Sequence, residues 1–322
     1  MADTVLSDEE VESFVAHGYV TIHECFTRAD AQPWLDEAWI RLGYDPQDPD
    51  TWVEKRVHMP SLRHVEVSDF APKVWGAACE LLGGADRIEQ PYTWGNGFIA
   101  NLGLGVDREW EPPSAAASDW HKDGDFFRHF LDSPEQGLLT IVLWSDIEHR
   151  GGGTFVAADS VAPVARLLAE RREGVLPDDF DYQDLISQCT SFVETTGRLG
   201  DVVLMHPYML HSASQNHRGT ARFITNPPIA LKEPMAFNRS DPAEHSPVER
   251  AVLRALGMER LDYEPTAPRE DVVPERVLRQ ERMREEEQAR LASGAPGNDH
   301  RVGARRAALR HTGEGHPYHQ YE

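Results

Sequence analysis

The spacing of apolar side chains predicts helices in the first third of the chain. Ser7 and Glu10 form a capping-box pattern, and apolar residues recur behind it at helical intervals. The same periodicity appears over residues 28–42 and 72–83, so two further helices are expected there. A short apolar run at 19–22 predicts a strand between the first two helices.

The middle of the chain changes to short apolar or alternating runs, which are typical of β-strands. Gly, Pro, Asn and Asp separate these runs, and we expect only one helical insert, over about 161–172. The predicted strands cover residues 98–102, 138–144, 153–157, 191–195, 201–205 and 221–225. Because a parallel sheet would need a helix between successive strands, the pattern indicates an antiparallel barrel or sandwich.

Helical periodicity returns after residue 234. Ser246 followed by Pro247 is a typical helix start, so a helix is expected over 246–257. Residues 274–292 predict a second, charge-rich helix, and the composition beyond it predicts a flexible tail. The predicted organisation is a β-rich domain with N-terminal helices over 1–243, a helical extension over 244–292 and a tail over 293–322.

Charge and composition narrow the classes of partner. The chain has 322 residues and a formal net charge of -22, which disfavours nucleic acids and anionic membrane surfaces because both bind basic faces. The three cysteines include no CxxC pair, which suits a reducing compartment. No apolar run approaches the roughly 18 residues of a membrane span, and the first residues lack a signal-peptide pattern. We therefore expect a cytoplasmic protein that acts on a small molecule.

One stretch departs from this acidic background. Residues 55–64 are the densest basic segment outside the tail. They either bind an anionic group of a substrate or offset the acidic residues around them. The sequence leaves both readings open and slightly favours the second.

Two histidines and one carboxylate are the side chains that a mononuclear iron(II) oxygenase uses on one face of its metal. On a strand, a His and an Asp two residues apart point to the same side, so one HxD stretch supplies two ligands. With 15 His and 54 acidic residues, roughly 2.5 such pairs are expected by chance, and two occur. These are His64-Val-Glu66 and His121-Lys-Asp123. Context favours the second, which precedes the apolar strand at 138–144.

The segment from Gly200 to Arg222 carries more information. It reads as a turn, an apolar strand, His211, a polar loop and a strand that bears Arg222. An arginine binds a planar carboxylate through two parallel hydrogen bonds, so Arg222 suits a carboxylate co-substrate. His206 is the rival for the distal histidine, although its place beside Pro207 is more typical of a loop residue. The alternative for Arg222 is a surface arginine on an edge strand.

Taken together, these motifs resemble the phytanoyl-CoA dioxygenase family. The resemblance covers roughly residues 5–230 and follows the family's motif order. Its elements are the N-terminal segment 6–20, the pair His121 and Asp123, the glycine-rich run 151–156, Gly200-Asp201, and the 11-residue step from His211 to Arg222.

The resemblance implies a fold and a chemistry. The fold is a double-stranded β-helix, a jelly-roll or cupin-like barrel, with His121, Asp123 and His211 as iron(II) ligands. Arg222 pairs with the far carboxylate of 2-oxoglutarate, which is decarboxylated to succinate and CO2 with consumption of O2. Hydroxylation is the default outcome, and the presence of Asp123 disfavours the halogenating variant of such a site.

Further co-substrate contacts are less sharply defined. The family often has Gly-Ser after the distal histidine, whereas this chain has Ser-Ala, so the hydroxyl contact is lost or moves to Ser214. Thr140 and Trp144 share one parity on their strand and either line the co-substrate pocket or belong to the core. Asn101, at the end of an earlier strand, is open to the same two readings.

Three functions remain in competition at this stage. The first is a 2-oxoglutarate-dependent oxygenase acting on a small molecule, with a secondary metabolite as one class of substrate. The second is a cupin-like metalloenzyme that acts without 2-oxoglutarate, and the third is a catalytically silent ligand-binding barrel. Arg222 separates the first two because only the first needs a carboxylate clamp. The complete triad speaks against the third.

Overall fold

The computed structural model describes residues 4–293, in which antiparallel sheets are flanked by helices. The α-helices in this range are α1 (Asp8–His17), α2 (Arg28–Leu42), α3 (Val67–Phe70), α4 (Pro72–Leu82), α5 (Val161–Glu170), α6 (Tyr182–Ser187), α7 (Pro247–Leu256) and α8 (Glu275–Ala292). The helices predicted at 28–42, 72–83, 161–172, 246–257 and 274–292 are therefore confirmed to within about two residues, the usual scatter of helix ends. The expectation of only one helical insert among the strands is wrong, because α6 follows α5.

The strands are short, as the sequence predicts. They are β1 (Tyr19–Ile22), β2 (Arg56–His58), β3 (His64–Glu66), β4 (Thr93–Gly95), β5 (Ile99–Asn101), β6 (Leu138–Leu143), β7 (Phe155–Ala157), β8 (Phe192–Glu194), β9 (Val202–Met205), β10 (His211–Ser212), β11 (Arg222–Thr225) and β12 (Pro228–Ile229). Each apolar run in the middle of the chain contains one of them. β2, β3, β4, β10 and β12 are additional.

Within residues 4–293 the strands form three antiparallel sheets. The largest has seven strands in the order β1-β9-β6-β11-β5-β2, with β12 also paired to β6. A second sheet has the order β10-β7-β8, and β3 and β4 pair alone. The two larger sheets are not joined into a closed barrel within this range. The antiparallel, mixed sheet-and-helix architecture is confirmed.

The register of the large sheet fixes which side chains share a face. Arg222 of β11 lies opposite Asn101 of β5, which lies opposite Arg56 of β2. The next residue on β11, Phe223, packs edge-on against Trp39 of α2, with ring centroids 5.1 Å apart. Because side chains alternate along a strand, the row that contains Arg222 faces away from the helix α2.

On that opposite face, two loops of the second sheet are hydrogen-bonded to the large sheet. The guanidinium Nε of Arg222 donates a hydrogen bond to the carbonyl of Gly152, just before β7, at 2.9 Å. The amide Nδ2 of Asn101 donates to the carbonyl of Ser214, just after β10, at 3.0 Å. The loop after β10 is thus held beside both the large sheet and the glycine-rich turn.

The first helix of the predicted C-terminal extension is part of the core. α7 packs against α1, α4 and α5, and its Val248 and Val252 are fully buried. Ser246 and Glu249 form a capping box at its start. The division of the chain at residue 243 stays a prediction, and the tail predicted from 293 onward lies outside the described residues, apart from Ser293 at the end of α8.

Among residues 4–293, no helix has both the length and the apolar content that crossing a lipid bilayer requires.

Candidate metal centre

Three of the predicted site residues come together. His121, Asp123 and His211 each offer a ligand atom, and these atoms lie within 4.8 Å of one another. The Nε2 atoms of His121 and His211 each lie 3.5 Å from Oδ1 of Asp123. Two imidazoles and one carboxylate therefore converge on one point, as in a facial triad.

Backbone pairing brings the two distant histidines side by side. The amide of His121 donates to the carbonyl of His211 at 3.0 Å, and the amide of His211 donates back at 2.9 Å. This antiparallel bridge adds the HxD stretch to the edge of β10. It places both imidazoles on one side, with ring centroids 4.4 Å apart.

A second set of hydrogen bonds orients the imidazoles. Nδ1 of His121 lies 2.7 Å from the carbonyl of Asp119, and Nδ1 of His211 lies 3.2 Å from the carbonyl of Met209. Because a carbonyl can only accept, each Nδ1 carries a proton, and Nε2 is the atom of each ring that is left to bind a metal ion. Both Nε2 atoms are directed at Asp123.

Asn226 positions the carboxylate and was not predicted from the sequence. Its Nδ2 donates to Oδ2 of Asp123 at 3.0 Å, which leaves Oδ1 directed at the histidines. The available signal was strand alternation, since Arg222, Ile224 and Asn226 share a face if the strand continues by one residue. The predicted strand over 221–225 ends one residue before Asn226.

The electrostatics of the triad favour an anionic Asp123. Burial by itself raises the pKa of this carboxyl, but the charge of His211 and hydrogen bonds from His121 and His211 outweigh it, so the pKa lies well below its ordinary value. Asp123 is therefore a carboxylate at neutral pH and can neutralise part of a cation's charge.

Arg222 is a buried cation with no carboxylate partner among the described residues. Its side chain is 2% exposed, with Nε bound to Gly152 and Nη1 donating to the carbonyl of Ile99 at 3.1 Å. Burial, and then the charge of Arg56, lowers the pKa of Arg222 to about 9, so it stays protonated at neutral pH. A buried charge that lacks a counter-ion is costly, so this position suits an anionic ligand.

Asn101 and Ser214 lie next to Arg222 but are occupied by backbone contacts. Oδ1 of Asn101 accepts from the amides of Gly103 and Leu104 at 3.2 and 2.9 Å. The hydroxyl of Ser214 donates to the carbonyl of Gly153 at 2.5 Å. Both side chains shape the loops around Arg222.

Thr140 and Trp144 are not beside Arg222 in the structure. The backbone amide of Trp144 donates to the carbonyl of Phe223, so these two aromatic side chains share the face that α2 covers. Trp144 packs there against Trp34 and Phe98, with ring centroids 5.2 and 5.5 Å apart. Thr140, on the same parity, donates its hydroxyl to the carbonyl of Pro227 at 2.6 Å. Their placement matches the core reading rather than the pocket reading.

The rival metal ligands are elsewhere. His206 is fully buried, with Nε2 3.3 Å from the carbonyl of Val248 on α7 and Nδ1 accepting from the amide of Tyr208. His64 and Glu66 lie on β3, which pairs only with β4. Neither joins the triad.

Comparisons with known proteins agree with this geometry. The sequence profile of the phytanoyl-CoA dioxygenase family matches residues 14–224, a segment that includes the triad and Arg222. No match to a curated protein was found.

Similar solved structures are remote in sequence. The non-heme alpha ketoglutarate dependent carbocyclase SnoK from nogalamycin biosynthesis is 17% identical, with a TM-score of 0.44 and coverage of 70% of this chain and 84% of that one. HygX from Streptomyces hygroscopicus, with nickel and 2-oxoglutarate bound, is 13% identical, with a TM-score of 0.39 and coverage of 70% and 88%. EctD from S. alaskensis, in its apoform, is 18% identical, with a TM-score of 0.35 and coverage of 72% and 78%.

Proposed function

The chain belongs to the phytanoyl-CoA dioxygenase family, and from that premise we propose that it is an iron(II)- and 2-oxoglutarate-dependent oxygenase that oxidises a small molecule. Its cofactors are iron(II), 2-oxoglutarate and O2. In this proposal the two larger sheets are the two halves of a double-stranded β-helix, with the metal at one end. Hydroxylation of a secondary metabolite is the default reaction.

The donor set fits iron(II). His121, Asp123 and His211 supply two neutral imidazole nitrogens and one carboxylate oxygen within 4.8 Å of one another. These three side chains would hold the iron(II) ion and would leave room beside it for 2-oxoglutarate and O2. When bound, iron(II) supplies oxidation of a substrate C–H bond by O2, coupled to decarboxylation of 2-oxoglutarate to succinate and CO2.

The observation that carries the proposal is the buried, uncompensated Arg222. Its guanidinium is already oriented by Gly152 and Ile99, so it is prepared to bind the distal carboxylate of 2-oxoglutarate. A metalloenzyme that acts without 2-oxoglutarate has no need for such a charge. A barrel that only binds a ligand has no need for the triad.

The chain's own residues divide the work. The backbone carbonyls of Asp119 and Met209 hold the imidazoles in the tautomer that presents Nε2. Asn226 holds Asp123, and Arg222 fixes the far end of the co-substrate. Because the imidazoles, the carboxylate and the guanidinium are each hydrogen-bonded to other groups of the chain, the site is organised before any ligand arrives.

An anaerobic titration tests the proposal. Iron(II) and 2-oxoglutarate added to the full-length protein should give a weak charge-transfer band near about 500 nm, as expected for a chelate at a facial triad. His211→Ala should abolish the band. Arg222→Lys should retain it but require about tenfold more 2-oxoglutarate, because a lysine cannot form the paired hydrogen bonds.

Arg218→Lys is the matched control, since Arg218 is an exposed residue of the loop that precedes β11 and pairs with Glu148 on the surface. It should bind 2-oxoglutarate as the wild type does. Absence of the band in the wild type, or an undiminished band in His211→Ala, would overturn the proposal.

A further inference from the structure

The C-terminal helix α8 begins beside the metal ligands. Arg276, in its first turn, forms a two-contact ion pair with Asp125, which is two residues beyond the ligand Asp123. The segment just before α8 is fixed to the same loop, because the amide of Val272 donates to the carbonyl of Phe126 at 2.8 Å. This helix lies outside the segment that matches the family profile.

The other half of α8 is fixed over β2. Glu287 forms a buried ion pair with Arg41 of α2 at 2.7 Å. Met283 and Glu286 line a small cavity together with Val57 of β2 and Met59, the residue that follows β2. α8 therefore runs from the HxD loop to β2, and one of its faces is turned toward that strand.

Arg279 lies on this face. At about 3.6 residues per turn, position 279 follows Arg276 by nearly one turn and precedes Met283 and Glu286 by one and two turns. Arg279 is exposed, and no carboxylate within residues 4–293 is paired with it. It is thus an exposed positive charge on α8, between Arg276, which pairs with Asp125 of the HxD loop, and Met283, which lies beside β2.

β2 carries a second group of positive charge. Arg56 shares its cross-strand row with Asn101 and Arg222. The pKa of His58, two residues further along β2, reflects the charges around this strand. Burial lowers its pKa to about 3, and the charges of Arg56, Arg222, Arg279 and Arg276 lower it in the same direction. Arginines from two strands and from α8 are therefore close to one imidazole.

We propose that Arg279, which lies beside the arginines Arg56, Arg222 and Arg276, binds an anionic group of the primary substrate, a carboxylate or a phosphate. Such a concentration of positive charge is unusual in a chain with a net charge of -22. In this arrangement Arg222 is committed to the co-substrate and Asp125 offsets Arg276. Arg279 is left to bind the anionic group. This inference rests on the proposed function, because only that function makes the bound molecule a substrate.

Binding of probe anions tests this inference. Inorganic phosphate and benzoate are titrated by calorimetry into the full-length protein, first metal-free and then with iron(II) and 2-oxoglutarate under anaerobic conditions. At least one anion should bind in both states, and the tighter one identifies the anionic group. Arg279→Gln should weaken that binding about tenfold, and Arg279→Lys should weaken it less, because the charge remains.

Arg284→Gln is the matched control, because Arg284 is exposed on the same helix but turned away from β2. It should leave anion binding unchanged. Binding of neither anion to the wild type, or equal binding by Arg279→Gln and the wild type, would overturn the inference, as would equal losses in Arg279→Gln and Arg284→Gln.

The two proposals fail separately. The charge-transfer band depends on the triad and Arg222, so Arg279→Gln should keep it. Anion binding that depends on Arg279 without a band would overturn the oxygenase and leave the anion site. A charge-transfer band without anion binding would overturn the anion site and leave the oxygenase.

Discussion

At the scale of single residues, the metal centre depends on groups that do not touch the metal. Asn226 holds one oxygen of Asp123, so the other oxygen points between His121 and His211. Without that hydrogen bond the carboxylate is free to rotate about its last bond. Metal affinity usually falls about 10- to 100-fold when such a supporting residue is removed.

Asn226→Ala should therefore weaken iron(II) binding about 10- to 100-fold while leaving the protein folded. The measurement is an anaerobic iron(II) titration against a competing chelator. Asn238→Ala is the control, because Asn238 is an exposed asparagine whose side-chain amide donates to Asp262 on the surface. Equal affinities for iron(II) in Asn226→Ala and the wild type would show that Asp123 is oriented by other contacts.

The residues of the triad could be predicted from the sequence because their spacing along the strands is a recognisable pattern. The HxD spacing and the step from His211 to Arg222 are both local patterns. Asn226 was not found because its role depends on how the end of β11 lies against a loop more than a hundred residues earlier. Trp144 and Thr140 show the same limit. Alternation along a strand predicts that their side chains share one face of the sheet, but it does not predict which face lies at the site.

At the scale of secondary-structure elements, α7 is held by one buried carboxylate. Glu249 caps its own helix with Ser246 and accepts hydrogen bonds from Arg87 and from the amide of Ala236. Burial raises the pKa of Glu249, but these hydrogen bonds, together with those from Arg239 and Ser246, outweigh it and hold the pKa below 4.5. The charged form therefore stabilises the fold.

Glu249→Gln should lower the free energy of unfolding by about 2–4 kcal/mol at pH 7, since it removes a fully buried charge that pairs with the half-buried Arg87 and Arg239. A carboxyl whose pKa is lowered by folding stabilises above its unfolded pKa, and this contribution is lost as the pH falls through the folded value. The difference in the free energy of unfolding between Glu249→Gln and the wild type should therefore become smaller below about pH 4.5. Urea unfolding at several pH values measures it.

Glu259→Gln is the control for this series, because Glu259 is exposed just beyond α7. It should change stability by less than about 0.5 kcal/mol at every pH. A gap for Glu249→Gln that stays constant from pH 7 to pH 3.5 would mean that its charge is not what stabilises α7.

Long elements with a clear period were predictable, and short ones were not. α2 begins and ends at the predicted residues, because fifteen residues give four turns of apolar spacing and a capping box. β2, β3 and β4 have three residues each, too few to display a period of two. β2 was therefore read only as a basic stretch, although its position in the sheet places Arg56 in line with Arg222.

At the scale of the whole molecule, helices from the N-terminal and C-terminal parts of the described chain pack against one another. α1, near the N-terminus, packs against α7, and Arg250 of α7 pairs with Glu12 of α1. α5, which lies between β7 and β8 in the chain, also packs against α7. The family-matched segment 14–224 thus lacks α7, which packs against its helices α4 and α5.

This packing predicts that the extension does not unfold as a separate unit. A chain that ends at residue 243 loses Val248, Val252 and Leu253, all at most 5% exposed, and each such side chain contributes about 1.5–3 kcal/mol by burial. That loss is comparable with the roughly 5–15 kcal/mol that stabilises a typical protein. The 1–243 chain should therefore lack a cooperative thermal transition, whereas a chain ending at residue 261, which keeps α7, should retain one. Calorimetry of both beside the full-length protein decides the matter. An unchanged melting temperature for the 1–243 chain would instead establish residues 244–292 as the independent extension that the sequence pattern predicts.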